Sequence, residues 1–298
     1  MNQGLLLAAS AYIFWGLIPL YWKQLPVASP WEMLVMRIIW GLPIVAAWML
    51  LSGQSTQLKK VFKEFHTLKW LLASTTLIAI NWFTFVWAVF NNHLLESALG
   101  YYINPLFNVL LGTVFLQEKL RKPQWTSVFM ATIGVVVLGF GEWHRSLIAF
   151  TLAMTFALYG FCRKKAQIPS QVGVTFELGI LFIPSVLGLI YLNQNQMLTF
   201  SHAQLGTQFN LALAGPITIF PLVLFSFAIA KLKLSTMGII QYITPTLHFA
   251  LGYWLYKEQL DPQRLAAFAL IWPAVALYLS DEIYYQKNKK GKALLWKA

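Results

Sequence analysis

The sequence predicts an all-α integral membrane protein of ten transmembrane helices, arranged as two inverted five-helix repeats, and three observations carry that prediction. The chain has 298 residues, 58% hydrophobic and 16% aromatic but only 11% charged, against roughly 25% charged residues in soluble domains. Apolar stretches of about the 20 residues that a bilayer core demands follow one another with only short polar breaks. The second half of the chain repeats the first.

The predicted spans are 4–22, 31–51, 69–90, 96–116, 124–141, 146–162, 172–192, 208–230, 235–256 and 264–283. Pro19 and Lys23 interrupt the end of the first, and the fifth is short. The start, Met1-Asn2-Gln3, lacks the basic region of a secretory signal, and the apolar stretch behind it runs past the usual signal length, so the first helix is expected to be retained. Orientation follows from the bias of Lys and Arg towards the cytoplasm. With the N-terminus inside, seventeen of the 22 Lys and Arg fall on inner loops and the C-terminal tail, four on outer loops, and Arg37 alone within a span. Both termini are predicted to be cytoplasmic.

A shift of 140 residues places Tyr102-Ile103 on Tyr242-Ile243, Pro105 on Pro245, Leu111-Gly112 on Leu251-Gly252, Glu118 on Glu258 and Leu120 on Leu260, seven identities in nineteen positions. Nearby offsets pair Gly16 with Gly160 and Glu32 with Glu177. The predicted units are residues 1–142, residues 143–286 and a basic cytoplasmic tail, 287–298. Five helices per copy is an odd number, so the second copy must lie upside down in the membrane. Inverted repeats are the usual architecture of secondary transporters, with the substrate site near the midplane between the halves.

The net charge of +12 is spread over short interhelical loops and gives topology, not a nucleic-acid surface. Cys162 is the only cysteine, which excludes an internal disulfide and a cysteine-ligated metal site. No HExxH, GxSxG or P-loop string occurs, and His248 is the only histidine within a span. A membrane enzyme and an ATP-driven pump are therefore disfavoured. Neither a cofactor nor a metal is expected; coupling to protons, with Glu32, Glu96 and Glu177 as candidate carriers, stands beside facilitated diffusion or exchange as an open alternative.

Ionisable groups inside the hydrocarbon are functional candidates. Arg37 lies about 9 Å inside its span. It either attracts a substrate carboxylate or phosphate, or snorkels and binds backbone carbonyls. The fourth and ninth spans carry matched elements, Tyr101-Tyr102-Ile103-Asn104-Pro105 and Gln241-Tyr242-Ile243-Thr244-Pro245. A mid-helix proline removes a hydrogen bond and frees a carbonyl four residues back, and matched breaks in both halves point to a binding site. The alternative is that these kinks merely aid packing.

Asn81 shares a helical face with Phe85, Ala88 and Asn92, and either binds ligand or bonds a neighbouring helix. Trp15, Trp82, Trp87 and Tyr159 are candidates to line a cavity, whereas Trp22, Trp31, Trp70 and Trp143 read as interfacial anchors. Glu118 and Glu258 oppose the helix dipole where they stand, so each is expected to bind a loop amide or a nearby cation. The predicted substrate-binding set is Arg37, Asn81, Trp82, Tyr101, Tyr102, Asn104, Gln241, Tyr242 and His248. Trp15, Glu32, Trp87, Tyr159, Glu177 and Thr218 are the predicted lining or gating residues.

Several strings make a family resemblance specific. They are Asn81-Trp82 with Trp87-Ala88-Val89, Leu99 to Leu106, Leu116 to Arg121 with Gln124-Trp125, and Glu32 with Arg37 and Trp40. Tyr159-Gly160 with Arg163-Lys164, Gly215-Pro216 with Thr218, Pro221-Leu222, and Gln241-Tyr242-Ile243 with Pro245 and Glu258 fit the same pattern. Over about residues 4–285 the chain resembles the RarD branch of the EamA family, in the drug/metabolite transporter superfamily. One departure is Tyr102, where the family pattern has Phe, and the ring is kept.

The resemblance implies ten helices, two EamA repeats, a bacterial inner membrane and a permease role. The family name derives from a chloramphenicol-sensitivity phenotype, which is not a substrate assignment, and relatives in the superfamily export amino acids and similar metabolites. The expected activity is secondary-active export of a small polar or amphipathic metabolite, such as amino-acid-like compounds or amphenicols, by alternating access. A channel-like diffusion pathway and a membrane-embedded enzyme are the competing readings. Expected partners are the substrate and membrane lipid, with no nucleic acid, in a monomer or homodimer.

Overall fold

The structure, a computed structural model, describes residues 3–22, 29–90, 94–139, 146–255 and 262–295. The side chains of Trp22, Asn92, Glu96, Trp143 and Glu258 lie outside what it describes. In chain order the helices are α1 (Gln3–Trp22), α2 (Pro30–Leu51), α3 (Ser55–Val61), α4 (Phe65–Phe90), α5 (Leu94–Phe115), α6 (Lys122–Gly139) and α7 (Ser146–Ala166). Then come α8 (Ser170–Gln194), α9 (Thr199–His202), α10 (Leu205–Lys231), α11 (Leu234–Gln241), α12 (Ile243–Ala250) and α13 (Pro262–Leu295). Among the described residues, each of the ten predicted stretches contains helix. The sequence did not signal the short helices α3 and α9.

Two boundaries differ from expectation. The last helix continues to Leu295 through most of the predicted tail. The ninth predicted span is not one helix: α11 ends at Gln241, Tyr242 forms a corner, α12 follows, and a π-helical turn, Leu251–Leu255, closes the segment. Pro245 has no N–H to offer the Gln241 carbonyl, so the ladder breaks there. The Tyr242 amide turns back to the Ile239 carbonyl at 3.3 Å instead. In α5 the matching Pro105 leaves the helix continuous.

Five described segments are long and apolar enough to cross a membrane, Trp31–Leu51, Leu147–Ala166, Ser170–Gln194, Leu205–Lys231 and Leu265–Tyr285. Large apolar side chains face outward, among them Leu51 at 88% and Leu205 at 84% exposure, which in water would be costly and in lipid is not. The buried centre is rich in aromatic rings. Tyr159 stacks on Phe225, with centroids 6.0 Å apart, and Trp15 and Phe156 pack edge to face at 5.8 Å.

Helix α5 packs on α7 and α11, α4 on α7 and α8, α2 on α8 and α10, α1 on α10 and α12, and α6 on α13. Small residues make these crossings close, as in membrane helix pairs generally. A Cβ on Gly215 of α10 would lie 2.6 Å from the Trp40 carbonyl carbon of α2, and one on Gly238 of α11 would lie 2.7 Å from the Pro105 oxygen of α5. Glycine is therefore required at both places for the backbones to approach.

Candidate functional site

Polar side chains buried among these helices form three groups. The first lies where α2, α4 and α5 converge. Arg37 of α2 is only 7% exposed, and no hydrogen-bond acceptor reaches its Nε or Nη2 among the described residues. Its guanidinium carbon sits 4.3 Å from the centre of the Trp82 ring of α4, a desolvated cation–π contact. The Tyr101 phenol of α5 is close enough to act on it electrostatically. Tyr101 in turn meets Phe85 edge to face at 6.2 Å.

The second group is a polar seam through α4, α5, α7 and α11. Asn104 donates to the Ala153 carbonyl at 2.5 Å and accepts from Asn108 at 2.9 Å. Asn108 also reaches Gln241 Oε1 at 3.4 Å. The seam thus ends at the corner that Pro245 makes. Asn81 donates to the Leu152 carbonyl at 2.9 Å and to Thr155 at 3.0 Å, so it joins α4 to α7. The Tyr242 hydroxyl donates to the Tyr102 carbonyl at 3.3 Å, which joins the two matched helices directly.

The third group surrounds Glu177 of α8. Its carboxylate accepts from Ser74 of α4 at 2.6 Å and from Tyr159 of α7 at 3.2 Å. Arg163 Nε of α7 lies 3.6 Å from it, and Arg163 Nη2 donates to the Ser170 carbonyl at 3.2 Å. The Arg163 guanidinium occupies the place where a Cβ on Gly173 would stand. Three helices are thereby held by one carboxylate.

The remaining predicted residues are dispersed. Glu32 is fully buried, yet its carboxylate accepts the backbone amides of Thr199 and Phe200 at 3.0 and 2.7 Å. It thus caps the chain between α8 and α10. Trp15 belongs to the aromatic centre, and His248 faces the backbone of Trp15 with its Nε2 buried and without a hydrogen bond. Trp87 is on the outer surface of α4, 40% exposed. Thr218 is part-buried on α10, one turn beyond Gly215.

Glu118 behaves as the dipole argument anticipates. It accepts from the Leu234 and Ser235 amides at 2.6 and 3.0 Å, capping α11, with Lys164 at 3.4 Å. Arg163, Ser74 and Gly173 are absent from the predicted site. Arg163 sits in an Arg-Lys-Lys run that reads as a topology signal, and the four-residue spacing of Gly173 and Glu177 on α8 was the only local hint of a cationic partner.

These features define the class: a multi-pass helical membrane protein whose buried polar groups lie between helices, with no group of three or more His, Cys, Asp or Glu placed to hold a metal ion among the described residues. The comparisons with known proteins agree. The EamA-like transporter family matches twice, over residues 2–140 and 145–280, so this chain belongs to that family. Within it the chain falls in the RarD branch. It is 39% identical to the protein RarD of Salmonella typhi over 97% of this chain and 98% of the relative. It is 40% identical to an uncharacterized transporter of Vibrio cholerae over 94% and 93%. One solved crystal structure shares the fold with a TM-score of 0.70 at 16% identity, covering 92% of this chain and 96% of the other. The chain is a membrane transporter of the drug/metabolite type and not an enzyme.

Proposed function

We propose that this transporter is a secondary permease of the bacterial inner membrane that exports a small polar or amphipathic metabolite by alternating access between two inverted five-helix halves. Both termini face the cytoplasm in this reading, as the loop charges suggest. The observation that carries it is the helix packing. Exchanging α1, α2, α4, α5 and α6 for α7, α8, α10, α11–α12 and α13 turns each of the packed pairs named above into another that is present, whereas α7 with α10 has no such counterpart in α1 with α4 among the described residues. The pair α1 and α10 becomes α7 and α4, α2 and α10 becomes α8 and α4, and α5 and α7 becomes α12 and α1. The pairs α2 with α8, α5 with α11 and α6 with α13 map onto themselves. Two halves that present equivalent surfaces to each other can rock between equivalent states, which is what alternating access requires.

The transport path, on this reading, runs past the corner at Tyr242, with Arg37, Trp82, Tyr101 and the Asn104–Asn108–Gln241 seam on its walls. No cofactor takes part. Coupling to protons falls on Glu96, or on Glu177 when it is released from Arg163, Ser74 and Tyr159, because Glu32 is committed to backbone amides. The test is flux in proteoliposomes: saturable uptake of a substrate that falls in Arg37→Ala and in Gln241→Ala, with both variants still monodisperse, is the expected result. Unchanged flux in both variants removes these residues from the path, and conductance far above a carrier's turnover replaces the permease with a channel.

A further inference from the structure

Arg37 is the described cation whose burial is least explained by its surroundings. Arg163 has Glu177, Arg121 has Asp281 and Glu282 at 2.6 and 2.7 Å, and Lys164 has Glu118. Arg37 has no carboxylate within ion-pair distance among the described residues, although its side chain is almost wholly buried. A buried charge without a counter-charge is strongly unfavourable. Glu32, five residues earlier on the same helix, points away and is bound to Thr199 and Phe200.

The two nitrogens without acceptors are Nε and Nη2. These share one edge of the guanidinium and project two parallel N–H bonds, the pair that receives both oxygens of a carboxylate. The Trp82 ring centre lies 4.3 Å from the guanidinium carbon, and the Nε and Nη2 edge is enclosed by protein in this state. Tyr101 stands near it and packs on Phe85, so the surroundings of the guanidinium are aromatic. One cation and no described acid within ion-pair reach balance a single negative charge, and a neutral ion pair crosses a low-dielectric, occluded state far more readily than a bare guanidinium.

We propose that the free edge of Arg37, over Trp82 and beside Tyr101, is the receptor for a single carboxylate on the transported molecule, whose body is aromatic or apolar. This rests on the permease reading for its role in transport, though not for binding.

The experiment is thermal unfolding of the detergent-purified full chain with phenylacetate, phenylacetamide, phenethylamine, phenylalanine and phenyl phosphate. Phenylacetate is expected to raise the midpoint by about 5–10 °C near saturation, and phenylacetamide and phenethylamine to leave it unmoved. A response to phenylalanine as large as that to phenylacetate extends the class to zwitterions, with the same carboxylate contact. Arg37→Lys keeps the charge but not the fork, and should keep its ligand-free midpoint while losing most of the response. Arg37→Met, which removes the unpaired charge, should melt higher than the parent without ligand by about 2–4 °C.

Equal responses to acid and amide, a larger response to phenyl phosphate than to phenylacetate, or no response to any carboxylate overturns the proposal. So does an Arg37→Lys response like the parent's, or an Arg37→Met midpoint below the parent's, which would make Arg37 structural. Carboxylate binding with no flux in proteoliposomes removes the permease reading and leaves the receptor standing. Flux of a neutral compound that is indifferent to Arg37→Lys does the reverse.

Discussion

Arg163 Nε lies 3.6 Å from Glu177 Oε1, and the two side chains are only 3% and 2% exposed. The pair joins α7 to α8, and Ser74 brings in α4 at 2.6 Å from the same carboxylate. Truncating one member of such a pair leaves the other charge buried and uncompensated. Glu177→Ala should cost about 3–5 kcal/mol. The double variant Glu177→Gln with Arg163→Met should recover most of that loss, which thermal unfolding of the single and double variants would measure as a coupling energy.

Gly173 tests the same cluster from the backbone side. Alanine in place of glycine within a helix ordinarily stabilises by about 1 kcal/mol. Here the added Cβ would take the space of the Arg163 guanidinium, so Gly173→Ala should destabilise instead, by about 1–3 kcal/mol. Combining it with Arg163→Ala should remove the steric part, and a simple sum of the two single effects would refute that account.

Glu118 holds the N-terminal end of α11 through two backbone amides and the Ser235 hydroxyl, the latter at 2.7 Å. Losing a helix cap costs about 1 kcal/mol and up to 2, and Lys164 loses its partner as well. Glu118→Ala should therefore lower stability by about 2 kcal/mol, with Glu118→Gln intermediate, as read from unfolding midpoints.

Trp82 supports the guanidinium it covers. Removing a desolvated cation–π contact costs about 2 kcal/mol, so Trp82→Ala should lower the ligand-free midpoint, and it should also weaken phenylacetate binding because the guanidinium loses its support. Trp82→Phe should keep part of the affinity. Equal binding in parent and alanine variant would detach Trp82 from the receptor.

Orientation can be tested against a clean background, since Cys162 is the only cysteine and is buried. In a Cys162→Ala chain, cysteines placed at Gln57 and Gln167 should react with a membrane-impermeant maleimide only from the cytoplasmic side. Cysteines at Gln196 and Gln204 should react only from the outside. The reverse pattern would invert the proposed topology.

Much of the fold was legible in the chain because the bilayer imposes a local rule. A helix must be apolar for about 20 residues, so hydropathy and loop charges locate α1, α2, α4 to α8, α10, α11–α12 and α13 without any knowledge of neighbours. The repeat identified Tyr102 and Tyr242 as equivalent, and the structure brings them into contact. The corner at Tyr242 was half legible. Pro245 announces a missing hydrogen bond, but the identical Pro105 leaves α5 unbroken, so the outcome depends on what packs around each proline.

The sequence by itself determined the helices, the duplication, the transporter family and some of the buried ionisable residues, Arg37, Glu32 and Glu177 among them but not Arg163. Which of those residues were free to act was decided only by the tertiary structure. Glu32, Glu177 and Arg37 look alike in sequence, each a charge inside an apolar helix. Helix packing gives Glu32 two backbone amides and Glu177 an arginine and two hydroxyls. Among the described residues it gives Arg37 the Trp82 ring and the nearby Tyr101 phenol, and no carboxylate. The physical reason is that desolvation depends on one residue's own depth, whereas its compensation depends on groups supplied by other helices far away in the chain.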